Sequence, residues 1–269
     1  MESMISKAFM LSGQDLPVLR SVKVHHPTIP EILNINDGIL CEELYWMYVS
    51  TIMSDPYDYM VMLDDMGIDY EKSNAFEVFA HRWTNANMDY LKNQVEYDKQ
   101  GTSPLDLYKE SLAFFFGSDR DFQLIKYKDQ MFIIDNNDDH WILNKEAFCM
   151  AMEFIVKINC VEGEEHIKPA TQAHKRILIE DKRIEEKKRA HKPLKKQERI
   201  ERIGDALATV FASGAGAITP ENYHRVHVYQ LLSSARSIQR QMVVQAKLNG
   251  IYTGMLKSDK ISDKELRWV

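Results

Sequence analysis

The residues nearest to a ligand-binding pattern are Asp135 to Glu146, DNNDDHWILNKE. Asp135, Asn137 and Asp139 stand at the first, third and fifth positions of a calcium-binding loop, and Glu146 at the twelfth. Oxygen donors at alternate residues, closed by a carboxylate, are what a hard cation needs. Ile142 fills a position that such loops keep apolar. Two features oppose the reading. His140 occupies the place of the glycine that makes the sharp turn, and the preceding MFII has the look of a strand, not a helix. A polar turn between two strands accounts for the same residues more simply.

Other candidate chemistry is thinner. His25, His26 and His81 lack a Cys or carboxylate partner at metal-ligand spacing on a shared element, so partly buried or surface histidines are the simpler reading. The glycines around 213–219 have no GK[ST] ending and no preceding strand, which removes a phosphate-cradling loop. No GxSxG, HExxH or kinase-like set occurs. Forty Asp and Glu residues make chance carboxylate pairs inevitable, so an acid–base hydrolase has no support from spacing alone. No cofactor is implied.

The segment Lys168 to Arg202 is different in kind. It holds thirteen Lys/Arg against six Asp/Glu in a chain whose net charge is −6, so a basic stretch separates two acidic parts. Lys175, Arg176, Lys182, Arg183, Lys187, Lys188 and Arg189 are its candidate partner-binding cations. Its acids are interleaved with the cations, and it contains no Phe, Tyr or Trp on which a base could stack. A solvated or docked charged helix is favoured, with an acidic protein surface, this chain's own included, ahead of a phosphate backbone as its counterpart. Ile177, Ile184 and Ala173 form a thin apolar stripe, and Pro193 should break the helix.

The elements that would position these residues follow from periodicity. Residues 1–16 read as a weakly structured lead. Val22 and Val24 alternate with polar neighbours as a short strand that Pro27 ends. Thr28, Pro30 and Glu31 mark a helix start. Apolar spacing then predicts helices over 39–53, 55–66 and 70–84, and from Leu105 to Phe116 with Gly117 as its stop. Phe122–Ile125, Met131–Ile134 and Trp141–Leu143 predict two or three strands of an antiparallel meander, and Asn144 caps a helix to Asn159. Leu194 to Phe211 is helical, and Thr219-Pro220-Glu221 starts a long helix that Gly250 ends.

The fold class is therefore mainly α (α+β). A mostly helical part with a small meander, 1–166, leads to a basic connecting helix, 167–203, and a helical C-terminal region, 204–269. Hydrophobic content of 45% supplies ample core material. The acidic balance argues against whole-chain nucleic-acid binding. Cys41, Cys149 and Cys160 lie in apolar runs without CxxC spacing, as buried thiols of a reducing compartment would. No apolar run approaches the ~20 residues that span a bilayer, and the N-terminus lacks a signal-peptide core, so a cytoplasmic protein is expected.

Four stretches carry a resemblance: VKVHHPTIPEIL, DPYDYMVMLDDMGIDYE, MFIIDNNDDHWILNKEAFCMAMEFI, and VHVYQLLSSARSIQRQM with the following NGIYTGMLK and terminal ELRWV. In this order the chain resembles tail assembly chaperones and associated tail-module morphogenesis proteins of phages of Gram-positive hosts. That resemblance implies a non-enzymatic protein made in the host cytoplasm, with another tail protein, tape measure or tail tube, as partner. It leaves open a component retained in the virion, a nucleic-acid-binding accessory acting through the basic helix, and homo-oligomer formation. The Met- and aromatic-rich helices suit such a role, because Met repacks cheaply around different apolar segments.

Overall fold

A computed structural model of the chain describes residues 5–100, 103–161, 166–191, 202–214 and 218–253, without the side chains of 100 and 189–191. Among the described residues there are ten α-helices and two small antiparallel sheets, so the fold is mainly α with a minor β component. The chain divides into two compact units, each assembled from separated stretches.

The first unit takes 1–13, 27–42 and 201–269. Its helices are α1 (Lys7–Ser12), α2 (Ile29–Leu33), α9 (Arg202–Ser213) and α10 (Val228–Tyr252). Helix α1 starts where Ser6 Oγ accepts from Phe9 N at 3.1 Å. It ends at Gly13, whose φ of 72° suits glycine; an added Cβ would also lie 2.3 Å from the His227 ring. Helix α2 opens as expected, with the Glu31 carboxylate accepting from Thr28 N at 2.7 Å. Two backbone bonds, Ile29 N to Val226 O and Val228 N to Pro27 O, tie α2 to the start of α10. Ile29, Ile32, Ile203, Val228 and Leu231 are fully buried there.

The second unit takes 14–26 and 43–200. A two-stranded ribbon pairs β1 (Leu16–Pro17) with β2 (Lys23–Val24). Helices α3 (Cys41–Ile52), α4 (Met60–Asp65), α5 (Ala75–Gln100) and α6 (Pro104–Phe116) precede the meander. The meander is β3 (Phe122–Tyr127), β4 (Gln130–Asp135) and β5 (Asp138–Leu143), paired in sequence order. Lys128 and Asp129, both at positive φ, make its first turn, as a tight hairpin requires. Asn144 Oδ1 then accepts from Ala147 N at 2.9 Å and opens α7 (Lys145–Ile158), and α8 (Gln172–His191) follows. The core is aromatic: Phe79 meets Phe148 at 4.7 Å between ring centres, and Phe122 meets Trp141 at 5.0 Å. Buried Tyr45 donates to Asn159 Oδ1 at 2.6 Å, and burial pushes its pKa well up.

Several expectations are corrected. The boundaries expected at 1–166, 167–203 and 204–269 give way to the interleaved units, because α8 belongs with the second unit rather than standing as a connector. The lead contains α1. Helix α5 starts at Ala75, not near Tyr70, because Asn74 and Glu77 exchange capping hydrogen bonds there, and it runs on to Gln100. Thr219-Pro220-Glu221 makes only one turn: Asn222 Oδ1 captures Thr219 N at 2.7 Å, a 3-10 turn covers Tyr223–Arg225, and α10 begins at Val228 with Gln230 accepting from His227 N. Helix α10 passes through Gly250. The three cysteines are half-buried and form no disulfide among the described residues, with burial raising the pKa of Cys149. Pro193, residues 215–217 and the tail from 254 lie outside the described residues.

Candidate functional site: an acid-rimmed seat for a basic helix

Helix α4 and the loops on either side of it supply five carboxylates within a short span of sequence: Asp58, Asp64, Asp65, Asp69 and Glu71. Local geometry explains their placement. Asp55 Oδ1 accepts from Tyr57 N, and Asp69 Oδ1 accepts from Glu71 N, both Asx turns that bend the chain at each end of the span. Gly67, at φ +71°, lets α4 stop after Met66. Between these turns α4 presents Met60, Val61 and Leu63 to an apolar cluster completed by Tyr70 and by Val78 of α5.

Helix α8 lies on this cluster. Lys175, Leu178, Ile179, Lys182 and Arg183 recur at i, i+3, i+4, i+7 and i+8 and share one helical face. Ile179 is buried in the cluster, and Leu178 packs against it. The cations meet the acids in register. Lys175 Nζ donates to Glu71 at 2.8 Å and also to Asp69, and it stands 4.5 Å from the centre of the Tyr70 ring. Arg183 reaches Asp65 at 2.6 Å and Asp64 at 3.2 Å. Lys182 lies 3.9 Å from Asp58. Just ahead of the helix, the His166 ring stacks on Tyr57 at 4.6 Å, and its Nε2 is 3.2 Å from Asp55.

The electrostatics follow from these contacts. The hydrogen bond from Lys175 holds Asp69 below the ordinary carboxylate range. Burial alone would lower the Lys175 pKa, but its bonds to Asp69 and Glu71 outweigh that and leave it raised. Inside the cluster, the Tyr70 hydroxyl is buried without a hydrogen-bond partner. An orphaned buried hydroxyl costs about 1–3 kcal/mol.

The cations singled out by sequence are therefore split. Lys175, Lys182 and Arg183 turn inward and pair with acids of their own chain. Arg176, Lys187 and Lys188 are exposed, and the side chain of Arg189 lies outside the described residues. A phosphate-binding face built from all of them loses its inward-facing members. The thin stripe of Ile177, Ile184 and Ala173 is exposed, because the docking face is the one whose charges are answered by carboxylates. The signal available in the sequence was the spacing of Lys175, Ile179, Lys182 and Arg183 set against the acids of 58–71.

The calcium-loop residues do another job. Asp135 is buried and accepts from Asp121 N and Asn137 N, each at 3.0 Å, and from Arg120 at 2.9 Å. Those bonds hold its carboxyl below the ordinary range, although burial pulls the other way. Asn136 and Asn137 form the β4–β5 turn, Asp139 sits on β5, and Glu146 is exposed in the first turn of α7. Among the described residues no group of three His, Cys, Asp or Glu side chains is placed to hold a metal. His25 is 3.1 Å from Asp15, buried His26 lies edge-on to Phe154, and His81 is half-buried on α5.

Arg82 is a structural residue that periodicity missed. Its guanidinium donates to Thr51 O, Met53 O and Ser54 Oγ, capping the C-terminal end of α3, and stacks 4.4 Å from the Tyr59 ring. Among the described residues no helix is long and apolar enough to cross a membrane. Compared with family models, curated proteins and solved structures, the chain gives no match.

Proposed function

We propose that this chain is a non-enzymatic phage morphogenesis protein, a tail assembly chaperone that holds helical segments of another tail protein in the host cytoplasm. The observation that carries the reading is the seat itself. A Met- and Tyr-lined cluster rimmed by five carboxylates holds a charged amphipathic helix side-on, through few apolar contacts and many solvent-reachable ion pairs. Surfaces of that composition take helices in a groove and re-pack around different ones. The sequence resemblance to tail-module proteins supplies the identity of the client, a tape-measure or tail-tube chain.

Co-expression with the tape-measure protein of the same phage tests the proposal. Recovery of a soluble complex by affinity purification is the expected result. An insoluble tape measure, unchanged by co-expression, together with no co-purification, would reject the chaperone role. Mass spectrometry of purified particles then separates an assembly factor, absent from them, from a tail or baseplate component that stays in the virion.

A further inference from the structure

We propose that the seat beneath α8 is a binding site for a basic amphipathic helix of a partner protein, and that α8 is its resident competitor. The proposal rests on the reading that this chain binds other proteins, and it names the chemistry of what is bound. Three observations carry it. The rim is acidic along its whole length, from Asp58 through Asp64 and Asp65 to Asp69 and Glu71, so a helix with cations spaced like Lys175, Lys182 and Arg183 is complementary to it. The floor is apolar and Met-containing, with Met60, Val61, Leu63 and Tyr70, and α8 sets only Leu178 and Ile179 on it. The buried Tyr70 hydroxyl finds no partner while α8 is in place. A helix carrying a polar side chain at that level and a broader apolar stripe would satisfy the floor better than α8 does.

Competition follows from connectivity. Because α8 is part of the chain, it faces the seat at a local concentration that a free helix must overcome, on the order of millimolar for a short tether. Weakening α8 in cis while leaving the seat intact should therefore open the site to a helix in trans. The α8 sequence, with its spacing already matched to the rim, is the probe.

The experiment uses the full chain and a fluorescently labelled synthetic peptide of residues 170–188, followed by anisotropy at low salt. Two variants release α8: Arg183→Glu alone, a change at a partly exposed position, and Ile179→Glu with Arg183→Glu. Each is checked for retained helicity by circular dichroism. The expected result is peptide affinity at least ten-fold higher for the double variant than for the unaltered chain, with the single variant between them. Adding Asp64→Asn and Asp65→Asn to the double variant should remove most of that gain. Equal affinity for all chains, or no binding to the double variant, overturns the proposal. So does a gain that survives Asp64→Asn and Asp65→Asn. Failure here is distinct from failure of the chaperone role: a chain that co-purifies tape measure equally with and without the seat substitutions keeps that role and loses this site.

Discussion

Substituting Lys175 by alanine should release α8 without unfolding the unit that carries it. The magnitude can be built from the contacts. The partner side chains Asp69 and Glu71 are 33% and 35% exposed, so water re-solvates them when the ammonium is gone, and each pair contributes only about 0.5 kcal/mol. The ammonium over the Tyr70 ring adds roughly 0.5–1 kcal/mol. The aliphatic stem, buried on that ring, contributes on the order of 1 kcal/mol. Together these give about 2–3 kcal/mol of lost docking, or roughly a 30- to 150-fold rise in the opening equilibrium at 1.4 kcal/mol per decade. Lys175→Met keeps the stem and should lose about 1.5–2 kcal/mol, or roughly 10- to 30-fold. Native-state hydrogen exchange reads this directly, because amides of α8 that open locally lose protection while those of α7 do not. Unchanged α8 protection would refute the reasoning. An equal loss in α7 would do so as well, since it would make Lys175 a core residue of the whole unit rather than a fastening of one helix.

Other substitutions test the remaining supports. The Glu42 carboxylate caps α9, accepting from Ile203 N at 3.0 Å and Gly204 N at 2.8 Å; Glu42→Ala should cost about 1–2 kcal/mol and lower the thermal midpoint by a few degrees, while Glu42→Gln should cost less. Asp135→Ala leaves two backbone donors without their acceptor at a side chain only 2% exposed, while Arg120 keeps Asp138 and Phe116 O, so a urea-midpoint loss equivalent to about 2–4 kcal/mol is expected; a loss under about 1 kcal/mol would show that the turn does not depend on it. Asp69 and Asp135 both have depressed pKa values, so their stabilisation is present above the unfolded carboxylate value of about 4 and fades as pH falls through the folded values. Acid unfolding of the unaltered chain should accordingly begin below about pH 4, and Asp135→Asn should flatten that limb.

Where the sequence was legible, a single strong local signal decided the outcome. The meander was visible because β-branched and aromatic residues cluster between polar turns, and α7 because Asn144 precedes a stripe of Phe148, Ile155 and neighbours. Helix α2 announced itself through Thr28, Pro30 and Glu31. The readings that failed were those in which tertiary partners outvote local ones. Thr219-Pro220-Glu221 has every mark of a helix start, yet Asn222 closes its turn and the backbone of Pro27 accepts at Val228 instead. Ile177 and Ile184 form the thin apolar stripe of α8, and both are exposed. The face with three cations was buried instead, since acids far away in sequence neutralise it. No periodicity rule sees those acids. At Asp135 the structure has the polar turn between two strands that the sequence favours; what the sequence hid is the Arg120 guanidinium that the fold brings to it.

The weakness of α8's own fit sets what a rival helix must supply. Against a free helix of equal intrinsic affinity at about 1 µM, a millimolar tether amounts to a handicap of about 4 kcal/mol. The docking face of α8 spends three of its five positions on cations and leaves two for Leu178 and Ile179. Each further large apolar side chain seated on Met60, Leu63 and Tyr70 would add about 1.5–3 kcal/mol, and a group that hydrogen-bonds the Tyr70 hydroxyl would recover part of the 1–3 kcal/mol now lost there. Two to three such improvements cross the threshold and one does not. The seat therefore discriminates: it stays closed to highly charged helices resembling α8 and opens to helices that keep its cation spacing while carrying a wider apolar stripe. Unassembled helices of a long structural chain are of that second kind, because the apolar face that will be buried in the finished assembly is still uncovered.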